Sequence, residues 1–429
     1  MVAKVNIWGQ LAGAILWDEP AQVARFEYDE QFLKAGLDLS PIKMPIAEAL
    51  NGKRIYSFPA LSKETFKGLP GLLADSLPDR FGNQLIDAWL ARQGRDPEST
   101  DPVERLCYTG KRGMGALEFE PAAPLIDNTS EHLEIKELVA LAKEVLNEKK
   151  QLRSNLHSND DEHLQRIISV GTSAGGARAK AVIAYNPETG DVRSGQVDRL
   201  EGYSYWIIKF DGVNNHGLGD GEGYGRIEYA YHLMAADCGI RMSECRLLEE
   251  NGRAHFMTRR FDRPDTHTKL HMHTLCGIAH FDYNDPEAYS YEQAFQVMRQ
   301  LRLPYADAEQ LFMRMVFNIV ARNQDDHTKN ISFLMDRAGT WRLSPAYDIT
   351  YAVDPANKWI RQHQLSVNGK RTNISRSDIL FVAKEMNIKK ANDLVERITA
   401  SVKKWKTFAA EAGVTKEKTD AIAAAHLIV

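Results

Sequence analysis

Two lobes of mixed α and β structure, behind an amino-terminal α/β-mixed domain, are what the patterning of this chain predicts: an α+β fold with a β-rich middle and a helical carboxy-terminal lobe. Three observations carry that expectation. Ser204-Tyr205-Trp206-Ile207-Ile208-Lys209-Phe210 is a β-rich run with one lysine near its end. From Tyr291 onward the apolar spacing is helical, with Leu311, Met315, Val316, Ile319 and Val320 on one stripe between Ala306 and Arg322. That stripe runs into Asn323-Gln324-Asp325-Asp326-His327-Thr328-Lys329-Asn330, where Asp325 and Asn330 stand five apart. The catalytic Asp and the metal-binding Asn of protein kinases have the same interval, so the expected fold is two-lobed and protein-kinase-like.

Taken in order, residues 1–124 form an amino-terminal domain, 125–260 an N-lobe-like region with a Gly-rich loop, and 261–429 a helical C-lobe. In the first, Val5-Asn6-Ile7-Trp8 alternates as a half-buried strand, Asp79 to Arg92 reads as a helix, and Pro121-Ala122-Ala123-Pro124 closes the segment. Glu131 to Lys150 is helical by Leu133, Leu138, Leu141 and Val145. Gly171 to Lys180 is a glycine-rich turn between apolar runs, the layout of a loop whose backbone N–H groups approach phosphate oxygens. Ala177 stands where a Walker A loop needs lysine, and an ordinary hairpin explains the segment equally well.

After Lys209, the Gly-rich stretch Gly212 to Gly225 lacks the G-x-G-x-x-G register, and a helix follows from Arg226 to Cys238. Glu228 in its first turn can pair with Lys209, although the helix dipole favours an acid there anyway. Beyond Asn330 a hairpin is expected, with strands at Ile331 to Met335 and Thr340 to Leu343 around Asp336 to Gly339. Its return brings Asp348 toward Asn330, so that a carboxylate and an amide oxygen can share the Mg²⁺ that bridges nucleotide phosphates, and Asp325 stays free as the base. Turn formation alone accounts for Asp336, but it does not require three metal-compatible oxygens around one hairpin. The last helices, with Leu394, Ile398, Val402 and Trp405 as one stripe, read as core packing.

Composition sets limits. With 43% hydrophobic residues the chain can bury sizeable cores, and its 429 residues exceed one core's usual size. No apolar run approaches the roughly 18 residues of a membrane span, so a cytoplasmic protein without membrane contact is expected. A net charge of −4 argues against broad nucleic-acid coating by this chain alone. Lys389-Lys390 and Lys403-Lys404-Trp405-Lys406 read as solvated helix faces. Cys107, Cys238, Cys245 and Cys276 form no C-x-x-C pair, so buried free thiols are expected, and His267, His271, His273 and His280 around Cys276 fit no zinc spacing and read as a polar loop.

Several longer segments share one resemblance: FEYDEQFL at Phe26 to Leu33, GLLADSLPDRFGNQLI at Gly71 to Ile86, GTSAGGARAK at Gly171 to Lys180, WIIKF around Lys209, RRFDR at Arg259 to Arg263, NQDDHTKN and AYDIT. Through them the chain resembles, nearly end to end, the HipA-like serine/threonine kinases, toxin components of bacterial HipA/HipB toxin–antitoxin modules. The resemblance implies Asp325 as catalytic base, Asn330 and Asp348 as Mg²⁺ ligands, and Lys209 on the ATP phosphates. It extends the nucleotide site to Ser173, Gly175, Gly176, Lys180, Glu228 and Phe261, and makes Ser173 an autophosphorylation site, with Thr172 the competing acceptor. Arg259 departs from the glutamate that many members carry before Arg-Phe-Asp-Arg. The implied activity is transfer of the ATP γ-phosphoryl group to a protein serine or threonine, as members do to aminoacyl-tRNA synthetases, leading to growth arrest. The implied partner is a small helix-turn-helix antitoxin of HipB type, through which alone DNA is reached. A catalytically silent co-repressor subunit and a small-molecule kinase are the alternatives.

Overall fold

The computed structural model describes residues 1–122, 132–140, 179–195, 200–214, 217–218 and 223–428. Among them, the first sheet is antiparallel, in the order Ile55–Tyr56, Val23–Tyr28, Gln10–Asp18, Val2–Ile7 and Leu117–Glu120. The expected alternation is present: Ala3, Val5 and Ile7 are buried while Val2 and Lys4 face outward. Because successive side chains point to opposite faces, this one pattern sets both the sheet's core side and its register. The sheet shares a continuous hydrophobic core with the carboxy-terminal helices, Phe26 and Leu73 belonging to the same cluster as Phe312 and Met315.

The second sheet is the β-rich middle of the chain, in the order Cys245–Glu250, Arg253–Arg259, Ser204–Lys209, Lys180–Tyr185 and Val192–Ser194, antiparallel throughout. It has a core of its own. The Arg80–Arg92 helix lies in sequence between strands of the first sheet but buries Phe81, Leu85 and Ile86 with Ala181, Ile183, Trp206 and Ile208 of the second. Burying such side chains contributes about 1.5–3 kcal/mol each for the larger ones, so the helix ties the amino-terminal domain firmly to this lobe. Asp79 starts it as N-cap, its side chain accepting from Gly82 N at 2.6 Å.

The carboxy-terminal lobe is helical: Tyr291–Gln300, Tyr305–Val320, Arg376–Glu385, Ala391–Lys403, Trp405–Glu411 and Lys416–Ala425. Ser290 opens the first of these with a capping box closed by Gln293. Leu394, Ile398, Val402 and Trp405 are buried, as their spacing predicts. Against these helices lies a small sheet of His271–Thr274, Ser332–Met335 and Trp341–Leu343. Asp336 builds the turn of its hairpin, accepting from Ala338 N at 2.9 Å and Thr340 N at 3.0 Å.

One expectation is overturned. His271, His273, Cys276 and His280 do not lie in a polar loop: the first two are on a buried strand, Cys276 is in the Leu275–Ala279 helix, and His280 ends that helix. Each buried ring faces the amino-terminal domain. His271 Nε2 is 3.0 Å from Leu39 O, His273 Nδ1 is 2.6 Å from Asp75 Oδ2, and His280 Nε2 accepts from Gly71 N at 3.1 Å. Histidine is polar enough to look like loop, yet each of these rings has at least one nitrogen partnered by the amino-terminal domain. All four cysteines are buried free thiols. Among the described residues no helix is long and apolar enough to cross a membrane.

Candidate functional site

Lys209 ends the central strand of the second sheet, and Glu228 comes to it from the Tyr224–Asp237 helix. Gly225 permits that approach. A Cβ there would stand 2.1 Å from Ala254 O, so a larger residue would push the helix off the strand. Lys209 Nζ is 2.5 Å from Glu228 Oε1 and also binds Asp348 Oδ1. Burial by itself depresses the Lys209 ammonium, but the carboxylates of Asp348 and Glu228 outweigh it and hold the group charged, well above its ordinary range. Burial likewise works to raise Asp348, and the two lysines Lys209 and Lys180 overcome it, keeping the carboxyl ionised.

Lys180 is the cross-strand neighbour of Lys209. It is 2% exposed and lies 3.4 Å from Asp79 Oδ2. Burial pulls its ammonium below the ordinary lysine range, with Asp79 and Asp348 acting against that.

The Tyr305–Val320 helix delivers the loop that carries the other candidates. Asp325 and Asp326 differ sharply there. The Asp326 carboxylate is buried: it accepts from Tyr291 OH at 2.9 Å and Gln364 N at 2.8 Å, and lies 2.9 Å from His363 Nδ1. The Asp325 side chain is 44% exposed and accepts from Gln364 Nε2 at 3.2 Å. Asn330 donates its side-chain N–H to Asp325 O at 2.8 Å, which leaves its amide oxygen for other use. Asn330 and Asp348 line one small cavity together with Asp326 and His327, so the hairpin does bring the two candidate ligands to the same place. Asp348 takes a positive φ of 51°, uncommon outside glycine, and strain of this kind concentrates at functional sites.

Phe261 follows the Arg253–Arg259 strand where the chain leaves the second sheet, its ring 5.5 Å from that of Tyr347 beside Asp348. Next to it, Asp262 is fully buried between Arg260 and Arg263, at 2.7 Å from each, and accepts from Gly115 N at 2.8 Å. Arg259 turns outward instead, donating to Pro264 O at 3.1 Å. Thr172, Ser173, Gly175 and Gly176 lie outside the described residues.

Sequence reasoning passed over Asp326, Gln364, Tyr291 and Asp79. The Asp-Asp doublet was visible, but which carboxylate is buried depends on Tyr291, His363 and Gln364, each more than 30 residues away. Arg314 was missed as well. It is a charge in the middle of an apolar helix, 4% exposed, donating to Ser344 O at 2.5 Å, and burial lowers its guanidinium to about 9.

Residues 3–120 match the profile of the HipA N-terminal domain and residues 172–425 that of the HipA-like C-terminal domain. The chain belongs to the HipA-like family. Its fold is similar to that of a chain in the Shewanella oneidensis MR-1 toxin–antitoxin complex of HipA, HipB and operator DNA. The TM-score is 0.68 at 16% identity, covering 99% of this chain and 94% of that one. Among curated proteins, the HipA-like sequence is 25% identical over 190 residues to Y4mE of Sinorhizobium fredii, which is named as a candidate kinase. That match covers 42% of this chain and 39% of Y4mE, so the chain spans about two fifths of that relative's length. The architecture is the two-lobed, kinase-like one.

Proposed function

We propose that this HipA-like protein is an ATP-dependent serine/threonine kinase that acts on a protein and serves as the toxin of a toxin–antitoxin pair. The observation that carries the reading is the contact of Lys209 with both Glu228 and Asp348, together with the cavity that Asp348 shares with Asn330, whose side chain bonds the backbone of Asp325. Glu228 holds the Lys209 ammonium, which with Lys180 draws the ATP phosphates into the cleft. Phe261 borders the adenine end, and the GTSAGGARAK resemblance assigns Gly175 and Gly176, outside the described residues, to the phosphates. Asp348 and the Asn330 amide offer hard oxygen donors of the kind that suit Mg²⁺, which usually takes one or two carboxylates and completes its shell with phosphate and water. Held by Asp348 and Asn330, Mg²⁺ would supply charge neutralisation to the nucleotide phosphates.

Asp325 orients the acceptor hydroxyl and takes its proton as the hydroxyl oxygen bonds to the γ-phosphorus. The bond from that phosphorus to the β–γ bridging oxygen breaks, and ADP leaves. The same reaction on Ser173 is the autophosphorylation that the GTSAGGARAK resemblance implies. The partner in this reading is a small helix-turn-helix antitoxin, consistent with the HipA–HipB–operator assembly of the Shewanella relative. A silent co-repressor would have no need for an intact lysine, base and acid pair.

The test is phosphopeptide mass spectrometry after brief expression of wild type and Asp325→Asn. Phosphoserine or phosphothreonine peptides, including one at Ser173, are expected in the wild type only. Equal phosphopeptides in both, or none in either, contradict the reading.

A further inference from the structure

Asp79 closes the Leu-Pro-Asp turn before the Arg80–Arg92 helix, and the roles above make no use of it. Capping alone does not explain where it sits. The side chain of Asp101, which caps another helix, is 16% exposed, whereas that of Asp79 is 3% exposed. Its Oδ1 makes the cap, and its Oδ2 faces Lys180 Nζ at 3.4 Å, where the lysine side chain is also only 3% exposed. Lys180 lies directly across from Lys209 in the sheet, and like charges so opposed destabilise a strand pair unless each has a counter-charge. Glu228 and Asp348 supply it for Lys209, and Asp79 does so for Lys180. Asp79 is also within electrostatic reach of Lys329, from the loop that bears Asp325 and Asn330. A single carboxylate of the amino-terminal domain thus contacts a lysine of one lobe and lies within electrostatic reach of a lysine of the other.

We infer that Asp79 is a positioning residue of the phosphate site, holding Lys180 beside Lys209 and Asp348 so that the amino-terminal domain completes the nucleotide site of the two lobes. The inference rests on the kinase reading. Without the Asp79 charge, a buried Lys180 loses a counter-ion and either gives up its proton or swings away from the cleft.

Asparagine caps a helix as well as aspartate does, so Asp79→Asn keeps the cap and removes only the charge. With full-length protein and MgATP, Asp79→Asn is expected to raise the nucleotide KM about tenfold, the size expected for one lost charge-assisted contact, and to change kcat by less than about threefold. In a second arm without nucleotide, Lys180 is acetylated with acetic anhydride and followed by peptide mass spectrometry. Its rate should rise about tenfold in Asp79→Asn as the amine loses its counter-charge, while exposed Lys53 reacts unchanged. An unchanged KM, or an unchanged Lys180 rate, overturns the inference. If the wild type turns over no ATP, the kinase reading fails by itself and the acetylation arm still decides what Asp79 holds. Should Asp79→Asn not fold, the paired Asp79→Asn/Lys180→Gln protein, which removes both members of the ion pair, is expected to fold; its failure also overturns the inference.

Discussion

Asp325 and Asp326 are neighbours in sequence and opposites in environment. The buried one is held by three groups distant in sequence, and the exposed one, 44% exposed in its side chain, faces solvent where a substrate hydroxyl can reach it. Their substitutions should therefore separate. Asp326→Ala strands Tyr291 OH and Gln364 N, and is expected to destabilise the protein by about 3 kcal/mol. Asp325→Asn should stay within about 0.5 kcal/mol. Denaturant midpoints check both, and the reverse order would contradict the assignment. Asp262 gives a second case. Burial raises its carboxyl and Arg260 and Arg263 pull it down more strongly, to about 2. A carboxyl lowered on folding contributes fully above the ordinary aspartate range, and the contribution is lost as pH falls from about 4 to about 2, up to about 2 kcal/mol. Between about pH 5 and about pH 3 the wild type should therefore lose stability more steeply than Asp262→Asn. At neutral pH that variant should be about 3 kcal/mol less stable, because it leaves two buried guanidinium groups without their counter-charge. Parallel pH dependences in the two proteins would argue against the pair.

At the scale of elements, local periodicity was legible and destination was not. The alternation at Val2–Ile7, the stripe through Leu311 and Ile319, and the turn at Asp336 follow from spacing alone, because each records which side of one element meets the core. The Arg80–Arg92 helix was legible as a helix, but nothing local says that its apolar face meets the second sheet rather than the first. The histidine segment misled for a related reason: its partners Leu39, Gly71 and Asp75 are some 200 residues earlier, and without them buried histidines look like a surface loop. That junction depends on close approach. A Cβ on Gly71 would lie 2.1 Å from Gly277 O, so Gly71→Ala must part the Gly71–Ala74 and Leu275–Ala279 helices. Overpacking of this kind costs about 1–3 kcal/mol. An unfolding midpoint equal to wild type would show that the junction is looser than described.

Over the whole molecule, the amino-terminal sheet shares its core with the C-lobe while its Arg80–Arg92 helix belongs to the N-lobe's core, so the first domain braces both lobes. The candidate site was legible where one stretch of sequence holds the spacing, as from Asp325 to Asp348. It was illegible at Asp79, where the neighbours Lys180 and Lys329 come from two other parts of the chain. The net charge of −4 leaves little to attract DNA. Electrophoretic shift at about 150 mM salt should accordingly show weak binding by this chain alone and tight binding once a helix-turn-helix partner is added. Tight, sequence-selective binding by the isolated chain would contradict that. The central claim is that Asp325, Asp348, Lys209 and Glu228 form a phosphoryl-transfer site, and the most direct measurement is transfer of label from γ-labelled ATP by the purified protein. Wild type should transfer label to protein, while Asp325→Asn and Asp348→Asn, both folded by circular dichroism, should fall by at least about a hundredfold. Label transfer unchanged in either variant would contradict the account.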